Sequence, residues 1–189
     1  NRGTVLAMDG LVRAHDTLAA RAPSEAEDAR RPRSEGFSYA DAFSRNIGWL
    51  AAHEQEMLRH KRVAIAGMGG VGGVHLTTLA RLGIGGFHIA DFDSFQIQNF
   101  NRQVGAVMST LDRPKAEVMA GQALDINPEL KLEVFDAGVT SATMARFLED
   151  VDVYVDGLDF FAFDARRAVF AACAERGIPA ITAAPLGMG

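Results

Sequence analysis

The sequence has one cysteine, no long apolar run and no excess of positive charge, and each of these features argues against a class of protein. A single cysteine in 189 residues allows neither an internal disulfide nor a cysteine-built metal site, and fits a reducing compartment, so we expect a cytoplasmic protein. No run of about 20 apolar residues occurs, so we expect no membrane span. The five histidines are scattered, with no pair at metal-ligand spacing. The net charge of -5 gives no electrostatic reason for non-specific binding to nucleic acid.

Apolar residues make up 48% of the chain, which is typical of globular proteins. From the length of 189 residues we expect one main domain. Residues 1–36 are predicted to form an N-terminal helix followed by a linker, because apolar spacing is helical over residues 4–20 and is lost over residues 21–36. Residues 37–189 are predicted to form the main domain. The chain ends on Gly187-Met188-Gly189, which we interpret as the C-terminal edge of an incomplete domain.

From Arg62 onward, short apolar runs alternate with amphipathic segments, after one or two short helices between residues 37 and 59. This alternation predicts an α/β fold: a Rossmann-like, doubly wound and mainly parallel sheet, here with an N-terminal helical extension. Ligands of such sheets bind beyond the carboxyl ends of the strands. The predicted strands are 63–66, 87–90, 132–135, 151–155 and 180–183, and the predicted helices are 71–82, 113–126, 142–149 and 163–176.

A glycine-rich loop follows the first predicted strand and opens a helix. It satisfies GxGxxG at Gly67, Gly69 and Gly72, with Gly70 beside them, and holds five glycines in seven residues. Glycines let backbone N–H groups approach a phosphate, and the helix N-terminus favours negative charge. A tight turn without a ligand is the alternative, but it needs fewer glycines. The loop therefore predicts a phosphate site.

Two carboxylates follow the second predicted strand. Asp91 stands 24 residues after Gly67, where a carboxylate can accept hydrogen bonds from ribose hydroxyls. Asp93 lies two residues on and either assists or only caps the strand end. This arrangement predicts a nucleotide but does not distinguish NAD from ATP.

Further polar residues favour a triphosphate. Asn99 and Arg102 follow Asp93, and Lys115 opens the next helix. Cations near a phosphate loop stabilise charge on a leaving pyrophosphate. Asp159 follows the strand at 151–155 and is a candidate Mg²⁺ ligand, whereas we interpret Asp156 as a helix cap.

Together these motifs resemble the ThiF/MoeB/HesA family of adenylyltransferases, whose core the ubiquitin-activating enzymes share. The resemblance runs from about Phe43 to Gly189 and rests on the order of the motifs GMGGVGG, DFD, NFNRQ, RPKAE and VDGLD. It implies ATP- and Mg²⁺-dependent adenylation of a carboxylate, usually the C-terminal glycine of a ubiquitin-like or sulfur carrier protein. A modified tRNA base is a further carboxylate that relatives activate; other nucleic acid is not expected as a partner.

The same resemblance implies roles for particular residues. Asp91 would bind ribose, Asn99, Arg102 and Lys115 would contact the triphosphate, and Asp159 would bind Mg²⁺. Arg45, before the first strand, matches an arginine that reaches the nucleotide of the partner subunit in a homodimer.

The chain departs from the family pattern after Asp159. Phe160 stands where the family has Asn, and the stretch to Arg166 is two residues longer. For Phe160, Phe161 and Phe163 we favour core packing over the lining of a substrate channel. Two alternatives to an adenylyltransferase stay open. One is an NAD-dependent oxidoreductase, and the other is a non-catalytic family member that acts as a partner subunit.

Overall fold

The computed structural model describes residues 36–183. The predicted N-terminal helix and nearly all of the predicted linker lie outside these residues, as do the last six residues of the chain. Within the described range, no helix has both the length and the apolar character needed to span a bilayer.

Strands and helices alternate through the described range. Two short helices precede the first strand, and an α-helix then separates each strand from the next, with two additional 3₁₀ turns between the second and third strands. The strands are β1 (Arg62–Ala66), β2 (Gly86–Ala90), β3 (Lys131–Phe135), β4 (Val153–Asp156) and β5 (Ala180–Thr182), and the helices are α1 (Tyr39–Ala42), α2 (Ala52–Arg59), α3 (Gly72–Leu82), α4 (Lys115–Ile126), α5 (Met144–Phe147) and α6 (Phe163–Arg176).

The five strands form one parallel sheet in the order β3-β2-β1-β4-β5. The order reverses between β1 and β4, which lie side by side at the centre. This arrangement confirms the predicted α/β doubly wound fold. A crevice is expected at the reversal, because the connections from the two central strands leave toward opposite faces.

Strand alternation divides the core into two layers, one on each face of the sheet. Val63 and Ile65 of β1 belong to the layer that contains residues of α3 and α4. Ala64 and Ala66 belong to the other layer, with residues of α5 and α6. Cys173 of α6 is fully buried there.

The register brings the carboxyl ends of the central strands to one level. Ala66 of β1 pairs with Ala90 of β2 on one side and with Asp156 of β4 on the other. The loops that follow these strands therefore begin side by side. This is the edge at which the sequence places its glycine loop and its aspartates.

The element boundaries differ from the prediction mainly at helix starts. α4 begins at Lys115 rather than Arg113, because the residue before Pro114 disfavours helical torsion angles. The predicted helix 142–149 shortens to Met144–Phe147, after a turn in which Thr140 and Thr143 bond each other's backbone N–H groups. Such side-chain bonds compete with helix formation.

Candidate functional site

A cavity of about 950 Å³ opens at the carboxyl ends of β1, β2 and β4. Its volume is in the range of small-molecule sites. Most of the residues that the sequence singles out line it: Gly67, Gly69, Gly70, Asp91, Asp93, Arg102, Lys115 and Asp159. Gly72, Asn99 and Arg45 lie outside the lining.

The glycine loop makes backbone contact with the loop after β4. Gly67 has φ +89°, and a Cβ there would stand 2.2 Å from the carbonyl oxygen of Gly157. Gly72 packs against the backbone of Gly67. A Cβ added at Gly72 would stand 1.7 Å from the carbonyl oxygen of Gly67. Gly67 and Gly72 are thus required by packing, while Gly69 and Gly70 form the cavity wall. The loop leads into α3, whose first N–H groups favour an anion.

Asp91 ties the end of β2 to the glycine loop. Its Oδ2 accepts a hydrogen bond from the backbone N–H of Met68 at 2.6 Å, and its Oδ1 accepts one from Asp93 at 2.8 Å. A carboxylate has about four acceptor positions, so two remain for a ligand at the cavity. The arrangement suits a pair of ribose hydroxyls.

Lys115 and Asp93 form a pair on the cavity wall. Lys115 is 7% exposed, and its Nζ donates to Asp93 Oδ2 at 3.1 Å. The backbone N–H of Lys115 donates to the carbonyl of Asp93 at 2.8 Å. The ammonium group therefore lies at the first turn of α4, where cation and helix N-terminus both favour phosphate.

Arg102 reaches the cavity from the loop after β2, and Asn99 shapes that loop. The Arg102 guanidinium donates to the carbonyl of Gln98 at 3.0 Å and to Asn101 Oδ1 at 3.1 Å. Asn99 is buried, and its Oδ1 accepts a hydrogen bond from the Gln96 N–H at 2.8 Å. The structure thus brings Arg102, but not the Asn99 side chain, to the cavity.

Asp159 is exposed on the loop after β4. Its Oδ1 accepts a hydrogen bond from the Phe161 N–H at 3.0 Å. Among residues 36–183, no group of three or more His, Cys, Asp or Glu side chains is placed to hold a metal. The single carboxylate of Asp159 is compatible with Mg²⁺, because Mg²⁺ takes one or two protein carboxylates and completes its shell with phosphates and water.

Arg45 lies away from the cavity, in a 3₁₀ turn at Ser44–Asn46. Its side chain is exposed, and two exposed apolar residues follow it, Ile47 at 50% and Trp49 at 91% exposure. Arg45 is therefore not brought to the nucleotide-sized cavity of its own chain.

Sequence reasoning missed a buried ion pair at the cavity. Asp156, which it interpreted as a helix cap, accepts from Arg166 Nε at 2.5 Å, and its side chain is only 1% exposed. The two residues stand ten positions apart on either side of a loop, and no local sequence pattern marks their contact. Gln103, read only as part of the NFNRQ motif, also lines the cavity. Its Oε1 is buried without a hydrogen-bond partner among the described residues.

The aromatic cluster after Asp159 is not core, so the favoured interpretation was wrong. Phe160, Phe161 and Phe163 are 49%, 79% and 54% exposed, and the ring of Phe160 contacts the other two edge to face. Phe160 and Phe161 line the cavity. The physical reason is that the loop leaves the sheet at its edge, where neither core layer covers it.

Comparison with known proteins identifies the family. The model of the ThiF family matches residues 43–189, well over half of the chain, and the chain belongs to this family. The match confirms the resemblance inferred from the motifs, and its start agrees with the expected start at Phe43.

Two curated relatives show the range of activities in the family. The chain is 33% identical over 141 residues to the tRNA threonylcarbamoyladenosine dehydratase of Bacillus subtilis, covering 74% of this chain and 55% of that protein. It is 31% identical over 140 residues to the sulfur carrier protein ThiS adenylyltransferase of Escherichia coli, with the same coverage. The chain thus spans about half the length of these relatives.

Solved structures agree with the fold. The crystal structure of the E. coli tRNA N6-threonylcarbamoyladenosine dehydratase TcdA in complex with ATP superposes with a TM-score of 0.70 at 30% identity. The superposition covers 76% of this chain and 58% of that one.

Proposed function

We propose that this protein binds ATP in the cavity and catalyses the adenylation of a carboxylate. The observation that carries the proposal is the convergence of a glycine loop, a ribose-type carboxylate and two cations on one cavity at the sheet edge. Membership of the ThiF family supports it, as do relatives named adenylyltransferases. An NAD site would explain the loop and Asp91 but would leave Arg102 and Lys115 without a joint purpose.

We infer the position of the nucleotide from the chemistry of the residues that line the cavity. The phosphates lie along Gly69 and Gly70 at the start of α3, and the ribose hydroxyls bond Asp91. Arg102 and Lys115 face the outer phosphates. Asp93 keeps Lys115 at the wall in the absence of nucleotide.

The chemistry requires charge stabilisation rather than proton transfer. A substrate carboxylate oxygen attacks the α-phosphorus, a new P–O bond forms, and the bond to pyrophosphate breaks. The carboxylate is ionised near neutral pH and needs no general base. Arg102 and Lys115 stabilise the negative charge that develops on pyrophosphate. Asp159 would hold Mg²⁺, which when bound neutralises phosphate charge.

Arg45 would complete the site of a second copy of the chain in a homodimer. It does not line the cavity of its own chain. The exposed apolar side chains of Ile47 and Trp49 beside it support an interface in this region.

The carboxylate is proposed to be the C-terminal glycine of a ubiquitin-like or sulfur carrier protein. The E. coli relative named for the sulfur carrier ThiS supports this choice. A modified tRNA base is the second candidate, supported by the relatives named tRNA dehydratases. We expect the reaction to take place in the cytoplasm.

Thermal stabilisation by MgATP and by NAD tests nucleotide choice. A ligand at 100 times its dissociation constant adds about 2.7 kcal/mol of stability. We expect MgATP, and not NAD, to raise the melting temperature. Stabilisation by NAD alone, or by neither ligand, would contradict the proposal.

Lys115→Ala tests the phosphate contact, with Lys131→Ala as the matched control on an exposed lysine. A hydrogen bond to a charged group contributes about 1.5–3 kcal/mol, so Lys115→Ala should weaken ATP binding about 10- to 100-fold. Lys131→Ala should bind as wild type does. Equal effects of the two variants would remove Lys115 from the site.

Pyrophosphate exchange into ATP identifies the carboxylate, because exchange requires the acceptor that becomes adenylated. We expect exchange with a carrier protein that ends in Gly-Gly, and none when that C-terminus is amidated. Exchange with threonylcarbamoyladenosine-containing tRNA alone would establish the second candidate. A protein that binds MgATP but gives no exchange with either acceptor would be a non-catalytic family member.

A further inference from the structure

The loop that carries Asp159 is held by one arginine of the helix that follows. The loop leaves β4 at Asp156 and enters α6 at Phe163. Arg166, in the first turn of α6, lies against it with a side chain that is 22% exposed. Arg166 also lines the cavity.

The guanidinium binds three consecutive carbonyl oxygens of the loop. Nη2 donates to Leu158 at 3.0 Å and to Asp159 at 3.1 Å, and Nη1 donates to Phe160 at 3.1 Å. These contacts fix the backbone on both sides of the Asp159 side chain. A planar group with several donors can make them together, whereas an ammonium group cannot reach three spread acceptors from one position.

Asp156 holds Arg166 in turn. Besides Arg166 Nε, its carboxylate accepts hydrogen bonds from Thr182 Oγ1 at 2.9 Å, from the Leu158 N–H at 3.2 Å and from Tyr154 Oη at 3.3 Å. Its charge is paired and its oxygens are occupied, so Asp156 does not compete with Asp159 for a cation. Through these bonds the Asp156 carboxylate connects β4, β5, α6 and the loop.

We propose that Arg166 is a positioning residue for Asp159, and that Asp156 positions Arg166. The inference rests on the proposed function, because it assigns to Asp159 the binding of the metal that accompanies ATP. Arg166 fixes the direction of the Asp159 carboxylate at the cavity wall. Such a support matters because Phe160 and Phe161 are exposed and do not anchor this part of the loop in the core.

The test compares ATP affinity with and without Mg²⁺. The dissociation constant is measured by calorimetry on the 189-residue chain, once in EDTA and once in excess Mg²⁺, for wild type, Arg166→Lys and Asp159→Ala. The ratio of the two constants is the metal-dependent gain. The control is Arg167→Lys, on the exposed neighbour of Arg166.

We expect Arg166→Lys to lose most of the metal-dependent gain while its affinity in EDTA stays within about twofold of wild type. The loss should be about 10-fold or more, because removing the partner that orients a metal ligand costs 10- to 100-fold in metal affinity. Asp159→Ala should show the same pattern, and Arg167→Lys should match wild type.

Two results would overturn the inference. One is that Arg166→Lys keeps the full metal-dependent gain in ATP affinity. The other is that Arg166→Lys loses as much ATP affinity in EDTA as in Mg²⁺, which indicates general damage to the cavity. If wild type binds no ATP in either condition, the proposed function fails and the inference with it. If Arg166→Lys does not fold, Asp156→Asn takes its place, with the same losses expected and the same results decisive.

Discussion

At the scale of single residues, Gly67 is a position that only glycine fits. Its φ of +89° is unfavourable for residues with a side chain, and a Cβ would collide with the Gly157 backbone, which cannot move aside as a flexible side chain can. Positive φ and a forced shift of packed atoms each cost about 1–3 kcal/mol. The glycine loop therefore combines two reasons for glycine at one position.

We predict that Gly67→Ala lowers the free energy of unfolding by about 2–6 kcal/mol, from these two costs together. The control is Gly177→Ala, since Gly177 also has positive φ, +67°, but has open space around its Cβ position. That change should cost only about 1 kcal/mol. Urea unfolding of both variants measures the difference, and equal costs would show that the close approach to Gly157 contributes nothing.

At the scale of elements, Asp152 fixes the start of β4 beside β1. Its Oδ1 accepts from Lys61 Nζ at 2.8 Å and its Oδ2 accepts from the Arg62 N–H at 2.8 Å. Burial acts to raise the pKa of Asp152, but these hydrogen bonds outweigh it and hold the pKa below its ordinary value of 3.8. The two strands that border the crevice are thus joined by a carboxylate that must be ionised.

We predict that Asp152→Asn weakens the dependence of stability on pH in acid. A lowered folded-state pKa gives stability that is complete above pH 3.8 and is lost as pH falls through the folded value. Wild type should lose stability below about pH 4 through this group, and Asp152→Asn should lose less. Urea unfolding midpoints of wild type and Asp152→Asn between pH 7 and pH 2.5 measure this pH dependence. Asp150→Asn, on an 85% exposed side chain, is the control and should keep the wild-type slope.

The elements were predicted well because their signals are local. Buried strands such as β1 are short apolar runs next to turn residues. Helix α6 was predicted with its observed bounds, and it ends before Gly177, which has the left-handed conformation. Arg102, Lys115 and Asp159 became candidates from their positions relative to the predicted strands and helices, and family resemblance added Arg45. The contacts of Arg166 with three loop carbonyls have no local signal, because they depend on how a loop folds back on the helix that follows it. Exposure of the aromatic cluster was missed for the same reason.

At the scale of the whole molecule, the proposed homodimer would make the nucleotide site a shared one. Arg45 is exposed and lies outside the cavity lining of its own chain. If it acts across a homodimer, each site takes Lys115 from one chain and Arg45 from the other.

We predict that mixing two defective variants restores binding. Arg45→Ala and Lys115→Ala should each bind MgATP weakly. In an equimolar mixture with free subunit exchange, half of the dimers combine both variants, and one of the two sites in each is intact, so about a quarter of all sites should regain wild-type affinity. Titration with a fluorescent ATP analogue measures this fraction. A mixture that binds no better than its components would place Arg45 outside the nucleotide site.

The lone cysteine gives the molecule a practical property. Cys173 is fully buried, and burial raises the pKa of its thiol above the ordinary value. Thiol reagents act on the thiolate, so this side chain is close to inert toward them while the protein is folded. A cysteine introduced at Phe161, which is 79% exposed on the cavity wall, would therefore take up a dye selectively. The native chain would therefore contribute little background labelling to a fluorescent reporter placed at the cavity.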